Sequence, residues 1–75
     1  MTPQQIEILG LEKRWYRTQA AKEGDIAEKL SLSAVRYYQL LNTLLDDPDA
    51  LAAEPVLVKR LRRIRDSRAK LRRAG

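Results

Sequence analysis

Cysteine and histidine are both absent from these 75 residues. Their absence excludes disulfides, Cys/His zinc sites, imidazole general bases and thiolate nucleophiles, leaving few routes to catalysis or to a metal-stapled fold. The expectation is a protein that is not an enzyme and carries no cofactor or metal. Phenylalanine is also missing, and only one tryptophan and three tyrosines supply aromatic bulk. No apolar run approaches the roughly 20 residues needed to cross a bilayer, and the first residues lack the basic and hydrophobic regions of a signal peptide. A cytoplasmic protein without a membrane partner is therefore expected. The length allows one small domain and no more.

What is present is charge, unevenly placed. Fifteen Lys and Arg face ten Asp and Glu, a net charge of +5 that favours polyanionic partners. From Met1 to Glu54 six basic residues meet nine acidic ones, a net −3, whereas from Pro55 onward nine basic residues meet only Asp66, a net +8. The basic set is Lys59, Arg60, Arg62, Arg63, Arg65, Arg68, Lys70, Arg72 and Arg73. Such a run matches a phosphate backbone or a narrow minor groove. The rival readings are a solvated charged face and a basic amphipathic helix on an anionic membrane; the latter is weakened by the lack of a continuous bulky apolar face.

Leu, Ala, Glu, Lys, Arg and Gln dominate and period-two alternation is missing, so the fold class expected is all-α. Thr2, Pro3 and Gln5 form a capping box for a first helix running to about Arg17, with Ile8, Leu11 and Trp15, widened by Leu9 and Tyr16, as its buried stripe. Gly10 inside it marks a close helix approach or a kink. A second helix spans about Ala20 to Leu30, capped by Thr18, with Ile26, Ala27 and Leu30 inward. After a short turn at Ser31 and Leu32, Ser33 caps a third helix reaching Leu45, with Tyr37, Leu40, Leu41 and Leu44 inward. Asp47 caps a short helix begun by Pro48. The last helix runs from Pro55 to about Arg73, some 28 Å at 1.5 Å per residue. Its stripe of Leu57, Leu61, Ile64 and Leu71 is apolar mainly in its first half, so residues 1–64 are expected to form the domain and 65–75 a projecting basic end.

The stretch from Glu23 to Leu41 has helix-turn-helix spacing. Ile26 and Ala27 stand side by side, Leu30 follows one turn later, and Ser31, Leu32, Ser33, Tyr37 and Leu40 come in the order that motif needs. In that register Ala27 is small because the two helices cross closely there, and Ser31 takes the place of the usual left-handed glycine. An ordinary antiparallel helix pair is the plainer alternative. Under the motif, Ser33, Ala34, Val35, Tyr38 and Gln39 face a major groove with Arg36 toward the backbone edge. Gln39 then suits adenine, Ala34 and Val35 suit thymine methyls, and Arg36 suits phosphate or guanine. Under the plainer reading Val35 and Tyr38 complete the core and Gln39 is solvated. Trp15, next to Arg14 and Arg17, reads as core, with base stacking the alternative. Asp46, Asp47 and Asp49 read as capping acids, because no calcium-loop spacing is present. Ser31 and Ser33 have no base or oxyanion partner, so neither reads as a nucleophile.

The segments Leu32-Ser33-Ala34-Val35-Arg36-Tyr37-Tyr38-Gln39-Leu40-Leu41-Asn42, Asp47-Pro48-Asp49-Ala50-Leu51-Ala52-Ala53 and Val58-Lys59-Arg60-Leu61-Arg62-Arg63 resemble a family of small actinobacterial proteins, also found in their phages. Glu12, Arg14, Trp15, Ala21, Lys22 and Glu23 extend the resemblance, which covers roughly residues 7–67. That family is regarded as helix-turn-helix and nucleoid-associated. Its pattern has threonine at position 35 and a second tryptophan at position 16, where this chain has Val35 and Tyr16. The resemblance implies a DNA-binding nucleoid protein or transcription regulator. Double-stranded DNA is the expected partner, with a homodimer, a protein of the transcription machinery and RNA left open.

Overall fold

Thr2 and Gln5 bond each other reciprocally at the first helix start. The Gln5 amide donates to Thr2 Oγ1 at 3.2 Å and the Thr2 amide to Gln5 Oε1 at 2.9 Å. Local bonds of this kind set most of the helix starts in the computed structural model, which describes the backbone of residues 1–74 and the side chains of residues 1–71. Five helices and no strand occur among the described residues: α1 (Pro3–Glu12), α2 (Gln19–Leu30), α3 (Ala34–Leu45), α4 (Pro48–Ala53) and α5 (Pro55–Ala74). The protein is all-α, as its composition requires. Thr18 Oγ1 accepts from the Ala21 amide, Ser33 Oγ from the Arg36 amide, and an Asp47 carboxylate oxygen from the Asp49 amide. Each satisfies a donor that the first helical turn leaves orphaned.

The chain divides into two compact units, Met1–Leu44 and Leu45–Gly75. In the first, Ile8, Leu9, Leu11, Ile26, Tyr37, Leu41 and Leu44 are buried, while Leu30 and Leu40 are half-buried. In the second, Leu45, Ala50, Leu57 and Val58 are buried. Between α2 and α3, Ser31 takes a left-handed backbone with φ 55° and ψ 36°, and its amide closes α2 on the Ala27 carbonyl at 3.1 Å. A serine there performs the turn usually given to glycine, at a steric cost of roughly 1 to 2 kcal/mol.

Four expectations are corrected. The first helix stops at Glu12, not near Arg17, and Trp15 is 83% exposed instead of buried. The reason lies in the last turn, where the Lys13 and Arg14 amides bond three residues back, to the Gly10 and Leu11 carbonyls, and tighten the chain out of α geometry. Tyr16 meanwhile donates to Asp25 Oδ2 at 2.7 Å, so polar anchoring replaces the expected apolar stripe. Ala27 is exposed, one position off the face of Lys22, Ile26 and Leu30, so no close helix crossing needs its small side chain. Gly10 has no neighbour within 4 Å of a built Cβ, so it marks no close helix approach. Ile64, expected to dock, is 43% exposed, whereas Leu57 is buried and Leu61 half-buried.

Candidate nucleic-acid interface

The first four residues following the α2–α3 turn present a mixed surface. Ser33, Val35 and Arg36 are exposed and Ala34 is half-buried; one turn on, Tyr38 and Gln39 are exposed. Val35 is not needed by the core. Arg36 Nη1 lies 3.5 Å from Gln39 Oε1, one helical turn apart on the same face. The Ser33 hydroxyl is engaged as the α3 cap, and Tyr38 Oη accepts from Gln19 Nε2 at 2.7 Å. The side chains left most open for a ligand on this helix are therefore Val35, Arg36 and Gln39.

A buried polar knot holds that helix in place. Tyr37 is fully buried, and its hydroxyl donates to Glu12 Oε2 and lies 3.3 Å from the Ile8 carbonyl oxygen. The same Glu12 oxygen lies 2.7 Å from Lys22 Nζ, with side-chain exposures of only 6% for Glu12 and 18% for Lys22. Lys22 also stands 5.9 Å from the Tyr37 ring centre and 5.4 Å from that of Tyr38, and the two rings meet edge to face at 5.1 Å. One carboxylate, one ammonium and one phenol thus tie α1, α2 and α3 together. The triad leaves no local pattern in the sequence, because its members lie 10 and 15 residues apart in different helices.

In the second unit, α5 separates its cations by role. Lys59, Arg60, Arg63, Arg68 and Lys70 are exposed. At 100° per residue, Lys59, Arg60, Arg63 and Lys70 fall within an arc of about 100° opposite Leu57, Val58 and Leu61, whereas Arg68 falls in line with Leu57 and Leu61, further along the helix. Arg62 and Arg65 have structural work. Arg62 Nε donates to the Leu45 carbonyl, and Arg65 grips Asp46 through both terminal nitrogens at 3.1 and 3.2 Å. That fork holds the Arg65 guanidinium pKa above its ordinary value. Arg72 and Arg73, expected to join the basic set, have side chains outside the described residues.

A family model described as "Protein of unknown function (DUF3263)" matches residues 1–73, nearly the whole chain. The chain belongs to that family. No curated protein and no solved structure matches it. Among the described residues of this DUF3263 member, no helix is long and apolar enough to cross a membrane, and no cluster of acidic residues could hold a metal ion.

The polar links of the DUF3263 chain give its stability a pH signature. Burial, then the Glu12 hydrogen bond, push the Tyr37 phenol far above its ordinary value. The bond to Asp25 raises Tyr16. For Lys22 burial acts downward, but the hydrogen bond and charge of Glu12 outweigh it and hold the ammonium above its ordinary value. All three protonated forms are favoured by folding, so their contribution is complete below the unfolded values of about 10 to 10.4 and is lost as pH rises beyond them. Asp25 is lowered, first by the Tyr16 hydrogen bond, and its contribution is lost as pH falls below about 4. Urea midpoints measured along a pH series should be level from about 5 to 9 and fall steeply near 11. An unchanged midpoint at the alkaline end would contradict the Glu12 and Asp25 links.

Proposed function

We propose that this protein binds double-stranded DNA and performs no catalytic turnover, acting as a nucleoid-associated protein or transcription regulator. The reading rests above all on the exposed face of α5. Four cations share one side of a helix whose other side buries Leu57 and Val58, while Arg62 is engaged by the Leu45 carbonyl and Arg65 is paired with Asp46. A helix that sorts its charges in this way offers a ligand groups already stripped of internal partners, which suits a polyanion held through phosphate contacts.

The α2–turn–α3 segment supports the duplex in particular. Its left-handed turn, its serine cap and the open residues Val35, Arg36 and Gln39 early on α3 fit a helix-turn-helix whose second helix enters a major groove. Gln39 there suits adenine N6 and N7, and Arg36 suits phosphate. Matched and scrambled duplexes titrated with an Arg36→Ala/Gln39→Ala chain test this. Melting should stay within about 0.5 kcal/mol of the parent, because both side chains are exposed. Discrimination between duplexes should fall by about 1 to 3 kcal/mol at one base-pair position, with a further loss common to all sequences. Unaltered affinity and footprint in the folded double variant would remove α3 from the interface.

A further inference from the structure

Trp15 is the chain's single tryptophan, and it stands in water. A lone exposed aliphatic side chain needs no explanation, but an indole left out forfeits one of the largest burials a side chain offers. The link that carries it, between α1 and α2, is anchored on both sides. The Lys13 and Arg14 amides are bonded back to α1, the Tyr16 hydroxyl is fixed on Asp25, and Thr18 caps α2. The residues around the indole are therefore held while the indole itself is not.

Its surroundings are cationic. Lys13, Arg14 and Arg17 lie within two residues of Trp15 and all are exposed. No acidic residue occurs between Glu12 and Glu23, and Glu12 is engaged inside the fold with Lys22 and Tyr37. Arg14 lies 3.8 Å from Asp25, which is itself shared with Lys29 and Tyr16. An exposed aromatic side chain flanked in the sequence by Arg14 and Arg17 suits a nucleobase with a phosphate on each side.

We propose that Trp15 is a base-stacking residue for unpaired nucleobases, with Arg14 and Arg17 on the flanking phosphates. This inference rests on the nucleic-acid reading above and adds a ligand class to it. Bases inside a duplex are already stacked on each other, so an indole gains a partner only where a base is unpaired. The site accordingly favours single strands and duplexes carrying an unpaired bubble, while the cationic face of α5 serves any phosphate backbone.

The intrinsic fluorescence of Trp15 reports on this site alone. The full chain is titrated with a single-stranded oligodeoxythymidine, a matched duplex, and the same duplex with a central unpaired bubble. Quenching is expected with the single strand and the bubble, and little with the matched duplex. By anisotropy of labelled DNA, Trp15→Ala should lose about 5- to 150-fold in affinity for the bubble and the single strand, the worth of one base–aromatic stack, and about twofold or less for the matched duplex. Trp15→Phe should recover most of that loss, and Arg17→Gln should weaken the single strand. If Trp15→Ala does not fold, quenching of the parent chain and the Trp15→Phe affinity still decide. Unchanged emission at saturation with bubble and single strand, or an equal loss on all three ligands, overturns the proposal while leaving duplex binding standing. No binding to any of the three overturns the nucleic-acid reading and this proposal with it.

Discussion

A Glu12→Ala chain should lose about 3 kcal/mol of folding stability. Removing one member of a buried ion pair typically costs 3 to 5 kcal/mol, because the partner is left buried and uncompensated. The lower end applies here, since Lys22 retains some side-chain exposure and can turn toward water. Tyr37 keeps the Ile8 carbonyl as acceptor but loses its charged one. A 75-residue domain has roughly 4 to 11 kcal/mol in total. Each kcal/mol moves its melting temperature by about 6 °C, so melting should fall by about 20 °C. Glu12→Gln, which keeps an acceptor and gives up only the charge, should lose about half as much. Melting curves followed by circular dichroism measure both. A Glu12→Ala chain melting within about 5 °C of the parent would show that the knot contributes little.

The largest effect on binding belongs to α5. Replacing Lys59, Arg60, Arg63 and Lys70 together by glutamine lowers the net charge from +5 to +1. Helix propensity is kept, because glutamine is close to lysine and arginine on that scale. If each group meets one phosphate, the slope of log K against log salt should become less steep by about 3 to 4, and duplex affinity near 0.1 M salt should drop by roughly two to four orders of magnitude. The paired arginines provide the control. Arg62→Gln and Arg65→Gln remove bonds to Leu45 and Asp46, so they should act on melting more than on binding. Filter binding across a salt series compares the three variants with the parent. A quadruple variant with the parent's slope would dismiss this face as a phosphate contact, and a loss as large in Arg62→Gln would dismiss the division of roles.

Helix starts were the most readable part of this chain, because each is written within three or four residues. Thr2 with Gln5, Thr18, Ser33 and Asp47 all cap where the local pattern places them. The end of α1 was not readable. No glycine, asparagine or proline marks it, and the apolar spacing runs on through Trp15 and Tyr16; the helix stops where the Lys13 and Arg14 amides turn back three residues, and Tyr16 beyond it is held by Asp25, nine residues further along. The same limit hid the structural use of Arg62 and Arg65, whose partners lie 17 and 19 residues away. Ala27 shows the converse. Its position fits the motif's spacing, yet spacing alone cannot tell a small residue required by a crossing from one that merely faces water. Glu12 and Lys22 carried no periodic signal at all, since charged residues on a helix are ordinarily solvated.

The caps bear on how fast the protein acquires its structure. When helix ends are specified by neighbours two or three residues away, each helix can flicker into existence on its own before any distant pairing is made. The longest bond in the knot of the first unit closes between residues only 29 apart, Tyr37 and Ile8. Chain closure over that span carries a modest entropic cost, and topologies built from such nearby pairings fold in microseconds to milliseconds. A newly made chain would thus spend little time with its apolar stripes uncovered, and its dwell in aggregation-prone forms should be correspondingly brief.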